Sequence, residues 1–414
     1  MKILIADKFP RFACPLLREL GHHVDLRASL DGSEVPAALA SSAADVLIVR
    51  STKVTAKAFE ASGNLSLVIR AGAGVNTIDR EAASRHGVFV ANCAGKNAIA
   101  VAELVFGLLL ALDRQIPDAA ADLKAGRWNK KKYGKGGGLH GKRLGLVGLG
   151  AVAREVATRG LAFGLKVQAY SVRADPDLAS RLGISLCDSL DALLRTSDVV
   201  SIHVPYGEKT RHLIGERQLA RMREGAILIH TARGGVVDDS ALAHAVRSGR
   251  IRAGVDVFEG EPSGGDAEVD LELPGLAGCY ATPHIGASTA QAESAIADEV
   301  VRIVRDFGGR GVVHNTVNVV TDRPACCSLV VRHLDRVGVL AGVLDALRRD
   351  HFNVQEMQNI VFAGEKAAAC ATITLEREPG AELLDKLRAH DDVLAVDLRA
   401  AGDSRGAVEI RGDG

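Results

Sequence analysis

The sequence has few aromatic residues, no excess of either charge and no closely paired cysteines. Aromatic residues make up 4% of the 414 residues, and 51 basic side chains balance 51 acidic ones. A chain without net charge has no general attraction to nucleic acid or to a membrane surface, so we expect neither partner. The seven cysteines are scattered, odd in number and lack C-x-x-C spacing, which predicts free thiols and no metal site.

The sequence also lacks an export signal and a membrane span. Its first residues, MKILIADKF, have no charged start, no long apolar run and no small-residue cleavage site. The longest apolar run, residues 98–112, contains Glu103 and is too short to cross a bilayer, so it predicts a buried helix. We therefore expect a cytoplasmic protein. Because single cores rarely extend past about 250–300 residues, the length predicts two or three domains.

The sequence does contain two successive series of short apolar strands and helices. Residues 1–97 form the first series and residues 143–257 the second, a pattern typical of α/β proteins with parallel, doubly wound sheets. From residue 326 to 400 the order changes to strand, helix, strand, strand, helix, strand, which predicts a small ferredoxin-like α+β domain. Residues 401–414 are polar and rich in glycine, and we expect them to form a flexible tail.

A glycine-rich turn in the second series predicts a dinucleotide site. The segment GLGAV, with Gly148, Gly150, Ala151 and Val152, follows an apolar strand and opens an apolar helix. The two glycines allow a tight turn and bring backbone N–H groups close to a pyrophosphate, while the small side chain of Ala153 lets helix and strand pack. The phosphates would then lie at the positive end of the helix.

The choice between NAD and NADP depends on a residue about twenty positions later, at the end of the next strand. A carboxylate there would bind the ribose 2′-hydroxyl and repel a 2′-phosphate, but this sequence has Ser171 at that position. Ser171 and Arg173 can instead bind a phosphate. Arg173 is equally well interpreted as a solvated loop residue, so NAD and NADP both remain open.

Three further segments begin where strands of the second series end: TARGGVVD, GVDVFEGEP and TPHIGAST. They carry Arg233, Glu261 and His284, and ligands bind at such strand ends in a doubly wound sheet. An arginine can fork onto a carboxylate, a histidine can transfer a hydroxyl proton, and a glutamate can stabilise the imidazolium. Together they predict hydride transfer between a nicotinamide cofactor and a 2-hydroxy acid. His203 also ends a strand, but no motif carboxylate lies near it, and we interpret it as a cofactor-loop residue.

With these motifs the sequence resembles the D-isomer-specific 2-hydroxyacid dehydrogenases, and within that family it is most similar to the phosphoglycerate dehydrogenase branch. The resemblance spans roughly residues 1–320. It also rests on the segments LIVRSTKVT, RAGAGVNTID, RQIPDA and GRW, and on the spacing of Asn92, Asn97 and Glu103. The family uses NAD or NADP and places its active site in the cleft between two domains.

The resemblance implies a role for individual residues. The catalytic residues would be Arg233, Glu261 and His284. The cofactor would contact Gly148, Gly150, Ala151, Val152, Ser171, Arg173, His203, Pro205, Thr231, Ala232, Asp256 and His284, with Asp256 near the nicotinamide carboxamide. The substrate would contact Arg50, Ser51, Gly74, Asn97 and Arg233.

The resemblance also implies a division into domains. A discontinuous substrate domain would comprise residues 1–97 and 285–320, and a dinucleotide-binding domain residues 98–284. Residues 326–400 resemble an ACT domain, a small regulatory module that binds an amino acid between paired copies.

The sequence does not decide whether this ACT-like domain binds an effector. His333, Asp335 and Asn353 fall on its effector-binding positions. Asp335 replaces the asparagine expected there, so an amino-acid effector and a purely dimerising role both remain open. A homodimer or homotetramer is expected.

Three functions remain open. The first is NAD(P)-dependent oxidation of D-3-phosphoglycerate to 3-phosphohydroxypyruvate, the entry step of serine biosynthesis. The second is NADP-dependent reduction of glyoxylate, hydroxypyruvate or another small 2-keto acid. The third is a non-catalytic dinucleotide-sensing protein that acts by association. For the first function we expect Arg50 to bind the substrate phosphate, with the basic loop around Trp128 as a weaker candidate.

Overall fold

The computed structural model describes residues 1–10, 12–262, 267–320, 326–364 and 367–400. The chain divides into two compact units, Met1–Val319 and Val320–Gly414. The tail predicted for residues 401–414 lies outside the described residues.

The first unit begins with a five-stranded parallel sheet in the order β2-β1-β3-β4-β5. Its strands are β1 Lys2–Ile5, β2 His23–Leu26, β3 Val46–Val49, β4 Leu67–Arg70 and β5 Phe89–Asn92. Its helices are α1 Ala13–Glu19, α2 Val35–Ser42, α3 Ala56–Glu60 and α4 Arg80–Arg85. The central strand β3 reads VLIV and is buried throughout, because helices cover both faces of the sheet.

A second parallel sheet of seven strands follows, in the order β12-β11-β10-β9-β6-β7-β8. Its strands are β6 Arg143–Val147, β7 Lys166–Tyr170, β8 Ser185–Leu186, β9 Val199–Ile202, β10 Ile227–His230, β11 Arg252–Val255 and β12 Cys279–Ala281. Its helices are α5 Ala98–Arg114, α6 Ile116–Lys124, α7 Lys130–Tyr133, α8 Ala151–Ala162, α9 Pro176–Leu182, α10 Leu190–Thr196, α11 Glu216–Leu219 and α12 Asp239–Arg247. The strand order reverses between β6 and β9, which is where a doubly wound sheet opens a crevice for a ligand.

The chain crosses between the two sheets twice. It leaves the first sheet after β5 to enter α5, and it returns after β12 through α13, Ala290–Arg310. The apolar side of α13, with Ile296, Val300 and Ile303, packs into the core of the first sheet. The domain boundaries expected at residues 97 and 285 fall in these two connections.

The second unit is a four-stranded antiparallel sheet in the order β14-β15-β13-β16, with two helices. Its elements are β13 Cys327–Leu334, α14 Val339–Arg349, β14 Val354–Val361, β15 Ala368–Leu375, α15 Ala381–Arg388 and β16 Val393–Ala400. One face of the sheet packs on both helices, because β15 alternates buried and half-buried residues along its length. The predicted fold class, two parallel α/β sheets and a ferredoxin-like α+β unit, is confirmed.

Candidate active site

The turn between β6 and α8 has the geometry that the glycine-rich motif predicts. Gly148 has a φ of 98°, and a Cβ atom on it would lie 2.7 Å from the carbonyl oxygen of His203. Only glycine fits this position. A Cβ atom on Gly150, by contrast, would meet no atom within 4 Å. The space in front of Gly150 and the N-terminus of α8 is therefore open, and a pyrophosphate fits there.

The other expected cofactor residues lie on neighbouring strand ends. Ser171 follows β7, and His203 and Thr231 follow the adjacent strands β9 and β10, with Pro205 and Ala232 just beyond. Among the described residues, the buried Nε2 atom of His203 and the buried hydroxyl of Thr231 have no hydrogen-bond partner. Unpaired buried polar atoms beside an open turn fit a ligand that supplies polar groups, such as a nicotinamide dinucleotide.

His203 does not compete with His284 for proton transfer. Burial, and secondly the charge of His230, lowers the pKa of His203 to about 3. Its ring is therefore neutral near pH 7 and offers hydrogen bonds without charge. This agrees with the interpretation of His203 as a cofactor-loop residue.

Asp256, which follows β11, holds the loop that carries His284. It is 1% exposed, and its Oδ1 atom accepts hydrogen bonds from the Thr282 hydroxyl at 2.6 Å and the Ile285 N–H at 2.9 Å. Its Oδ2 atom accepts the Gly286 N–H at 2.9 Å. The described contacts of this carboxylate are thus to residues 282–286. The expected contact with a nicotinamide carboxamide stays a prediction.

His284 and Glu261 form a hydrogen-bonded pair. The Nδ1 atom of His284 lies 2.6 Å from Glu261 Oε2, and the other carboxylate oxygen accepts the Phe258 N–H at 2.8 Å. Burial raises the pKa of Glu261, but the hydrogen bonds from His284 and Phe258 outweigh it, so the pKa lies below its ordinary value. The carboxylate stays ionised near pH 7 and can stabilise an imidazolium. The Nε2 atom of His284 is left to exchange a proton with a substrate hydroxyl.

Arg233 reaches across from the second sheet to the first. A Cβ atom on Gly74, in the loop after β4, would lie 2.9 Å from the Nη2 atom of Arg233. The guanidinium therefore occupies the space that any larger residue at position 74 would fill. Two residues expected to contact substrate, one from each sheet, are adjacent.

A carboxylate at the end of β1 fixes the loop that carries Arg50 and Ser51. The Oδ2 atom of Asp7 accepts the backbone N–H groups of Arg50, Ser51 and Thr52 at 2.7, 2.9 and 2.9 Å. Its Oδ1 atom accepts the Ser51 hydroxyl at 2.9 Å. Asp7 was not predicted as a site residue, although its position two residues past the end of β1 is a signal that could have identified it.

Arg70 is a further cleft residue that was not predicted to bind substrate. It is the last residue of β4, the neighbour of β3, so its side chain begins at the same sheet edge as Arg50. Burial, and then the charges of Arg233 and Arg50, lowers the pKa of Arg70 to about 10. Arg70 is therefore close enough to Arg233 and to Arg50 to be repelled by both, and it is still protonated at neutral pH.

Part of this set lines one cleft of about 660 Å³, whereas Arg233, Gly74 and Asp7 are not among its lining residues. Four expected residues of the first sheet and its crossovers line it: Arg50, Ser51, Asn97 and His284. Glu261 and the unpredicted Arg70 also line it. The basic loop around Trp128 is placed differently, since Arg127 and Lys132 contact Asp122 at 2.6 and 3.5 Å.

The residues expected to bind an effector in the second unit do not form a comparable cluster. His333 is 1% exposed, and its ring contacts the Leu334 carbonyl at 2.8 Å and Asn359 Oδ1 at 3.3 Å. Asp335 and Asn353 are exposed. Within the described ranges, no group of three His, Cys, Asp or Glu side chains could hold a metal ion, and no helix is long and apolar enough to cross a membrane.

Comparison with known proteins identifies this architecture. Residues 106–286 match the model of the D-isomer specific 2-hydroxyacid dehydrogenase NAD-binding domain. A hydroxypyruvate reductase of Thermotoga maritima is 46% identical over 64% of this chain and 85% of its own length. A D-3-phosphoglycerate dehydrogenase of Mycobacterium tuberculosis is 36% identical over 99% of this chain and 80% of its own length.

Other similarities are partial or structural. A D-3-phosphoglycerate dehydrogenase of Methanocaldococcus jannaschii is 39% identical over 76% of this chain, but the match covers only 59% of that longer protein. An acyclic imino acid reductase in complex with NADPH and D-Arg superposes with a TM-score of 0.68 and 26% identity, over 77% of this chain and all of that one.

A D-lactate dehydrogenase of Aquifex aeolicus, in complex with NAD and lactic acid, gives a TM-score of 0.66 and 29% identity, over 78% of this chain and 100% of that one. The resemblance seen in the sequence motifs is thereby confirmed. The chain belongs to the D-isomer specific 2-hydroxyacid dehydrogenase family.

Proposed function

We propose that this protein oxidises a D-2-hydroxy acid that carries a second anionic group, D-3-phosphoglycerate being the leading candidate, to the corresponding 2-keto acid. The observation that carries the proposal is the composition of the cleft. A His–Glu proton-transfer pair lies there with Arg50 and Arg70, beside Arg233. These three guanidinium groups offer more hydrogen-bond donors than a single substrate carboxylate can use, and a second anionic group would use the remaining donors.

Each residue then has a defined task. Arg233 binds the substrate carboxylate through its planar fork, which places the C2 hydroxyl near His284. His284 accepts the hydroxyl proton, and Glu261 stabilises the imidazolium that results. Arg50 and Arg70 bind the distal phosphate. A bound nicotinamide dinucleotide supplies the hydride acceptor, and the open turn at Gly148 and Gly150 would hold its pyrophosphate.

The cofactor proposed is NAD or NADP, without a strong preference. The half-buried Ser171 and the exposed Arg173 stand where a carboxylate would exclude the 2′-phosphate. Matches to proteins with bound NADPH and with bound NAD are compatible with either cofactor. The second unit is proposed as an ACT-like regulatory or dimerising module, and the whole protein as a homodimer or homotetramer.

A second candidate function is the reduction of hydroxypyruvate or glyoxylate. The Thermotoga maritima hydroxypyruvate reductase, 46% identical to this chain, favours it. A substrate panel followed by NAD(P)H absorbance separates the two functions. It contains D-3-phosphoglycerate, D-glycerate, hydroxypyruvate and glyoxylate, each with both cofactors.

The proposal expects the highest kcat/KM among the hydroxy acids for D-3-phosphoglycerate, and kcat/KM values for NAD and NADP within about a hundredfold of each other. Turnover of hydroxypyruvate without turnover of the phosphorylated acid would select the second function. An inert panel would contradict both.

A further inference from the structure

Arg50, which is expected to bind the distal phosphate, already has a counter-ion. Its Nη1 atom lies 2.9 Å from the Oε1 atom of Glu293, a residue 243 positions later in the chain. Among the described residues, Arg50 is the one basic side chain within 4 Å of Glu293. The two side chains are 36% and 43% exposed, so solvent and ligands reach the pair.

The fold places Glu293 beside the cleft in a fixed position. Thr289 caps the N-terminus of α13 through its hydroxyl, which accepts the Ala292 N–H at 3.1 Å. Glu293 directly follows Ala292 in this first turn of the helix. The same helix begins at Ala290, six residues after His284, while Arg50 follows β3 and is held through its N–H by Asp7. Because both backbones are anchored, the ion pair does not depend on a mobile loop.

The three arginines therefore differ in whether a carboxylate already neutralises their charge. Arg70 and Arg233 have no carboxylate within 4 Å among the described residues, and burial lowers the pKa of both. Arg50 is neutralised by Glu293. A phosphate that binds Arg50 must displace this carboxylate or lie close to it, and like charges at such a distance repel each other. A substrate without a second anion meets no such competition.

We propose that Glu293 is a specificity-determining residue that lowers the preference of the cleft for substrates with a distal phosphate. This inference rests on the proposed function, in which Arg50 faces the distal end of the substrate. Glu293 weakens the attraction of Arg50 for a dianion and leaves the binding of small 2-hydroxy and 2-keto acids almost unchanged. The chain thus carries beside its own cleft the group that sets the balance between the two candidate substrates.

The test compares Glu293→Gln with a matched control, Asp298→Asn. Gln keeps the size and polarity of the side chain and removes its charge. Asp298 lies on an exposed position of the same helix, so its substitution removes an equal charge away from the cleft. The kcat/KM values for D-3-phosphoglycerate and D-glycerate are measured for each protein at low ionic strength.

The expected result is a rise of about three- to tenfold in the phosphorylated-to-plain ratio of kcat/KM for Glu293→Gln, with a change below twofold for Asp298→Asn. The gain should shrink in high salt, since the pair is exposed. An unchanged or lowered ratio in Glu293→Gln, or an equal rise in the control, would overturn the inference.

A second measurement separates this inference from the proposed function. Inorganic phosphate is titrated by calorimetry into the wild-type protein, Glu293→Gln and Asp298→Asn, and no turnover is needed. Tighter phosphate binding in Glu293→Gln alone supports the role of Glu293 even if D-3-phosphoglycerate is not oxidised. Equal phosphate affinity in the three proteins overturns it even if D-3-phosphoglycerate is a substrate.

Discussion

At the scale of single residues, the cleft is built from groups whose partners fix their charge and direction. His284 has a φ of 52°, an uncommon value for a residue with a side chain, and the Asp256 carboxylate holds the turn around it. Glu261 then contacts the Nδ1 atom. The loop held by Asp256 and the contact between Glu261 and the ring thus both fix the orientation of the imidazole. Together they set the direction of its Nε2 atom.

Glu261→Gln tests the proton-transfer pair. The amide can still hydrogen-bond to Nδ1 but cannot balance the charge of an imidazolium. We therefore expect kcat to fall by about 10²–10³, because the charge that develops on the imidazole during proton transfer is no longer balanced.

Steady-state kinetics measure this effect, and fluorescence titration with NADH serves as the control, since cofactor affinity should not change. An unchanged kcat would remove Glu261 from the mechanism.

At the scale of elements, adjacent parallel strands bring distant carboxylates and loops together. β1 pairs with β3 in parallel, so Asp7, just past the end of β1, meets the loop that follows β3. Burial raises the pKa of Asp7, but the N–H groups of residues 50–52 outweigh it and hold the pKa below its ordinary value. The carboxylate therefore stabilises the loop above the ordinary carboxyl pKa, and this stabilisation is lost only as the pH falls into the acid range.

Asp7→Asn should loosen the loop that carries Arg50 and Ser51, because an amide nitrogen cannot accept the N–H groups that the carboxylate accepts. We expect KM for the substrate to rise about tenfold, with kcat less affected and cofactor affinity unchanged. Asp45→Asn is the matched control, since Asp45 accepts the Lys2 N–H at 2.7 Å. This contact lies at the opposite, N-terminal end of the strands of the same sheet. A loss of kcat, together with changes in KM of equal size in Asp7→Asn and Asp45→Asn, would indicate that Asp7 has only a general structural role.

These elements could be predicted from the sequence where an apolar pattern and a motif occur together. They could not be predicted where contacts between distant parts of the chain determine the structure. The strand ends that carry Arg50 and Arg233 were predictable, because the buried parallel strands β3 and β10 read as continuous apolar runs. The edge strand β2, HVDL, was missed since only its valine is buried. The pairing of Glu293 with Arg50 has no local signal at all, because it depends on how α13 packs against the first sheet.

At the scale of the whole molecule, the segment of the first unit that contains α6 and α7 is almost entirely at the surface. None of the residues of α6 or α7 is buried, and the segment exposes Ile116, Leu123 and Trp128, the last to 81%. Exposed apolar side chains of this kind suit an interface with another molecule. A second copy of the chain fits the homo-oligomer proposed above.

Trp128→Glu should weaken that association, because a charge would be buried in an apolar interface. Light scattering coupled to size-exclusion chromatography should show a mass at or above twice 43.5 kDa for the wild-type protein and a shift toward the monomer for the variant. Phe12→Glu, at an exposed apolar position beside α1, is the control and should keep the wild-type mass. A wild-type monomer would remove this segment as an interface.

The three arginines also have a consequence for how the cleft closes. Arg50 and Arg70 belong to the first sheet and Arg233 to the second, and the charges of Arg50 and Arg233 both disfavour protonation of Arg70. In the free protein the repulsion between Arg70 and Arg233 opposes a closer approach of the two sheets. An anion bound between these two guanidinium groups would remove that repulsion. A ligand with an anionic group at each end would therefore favour closure of the cleft more than a ligand with one.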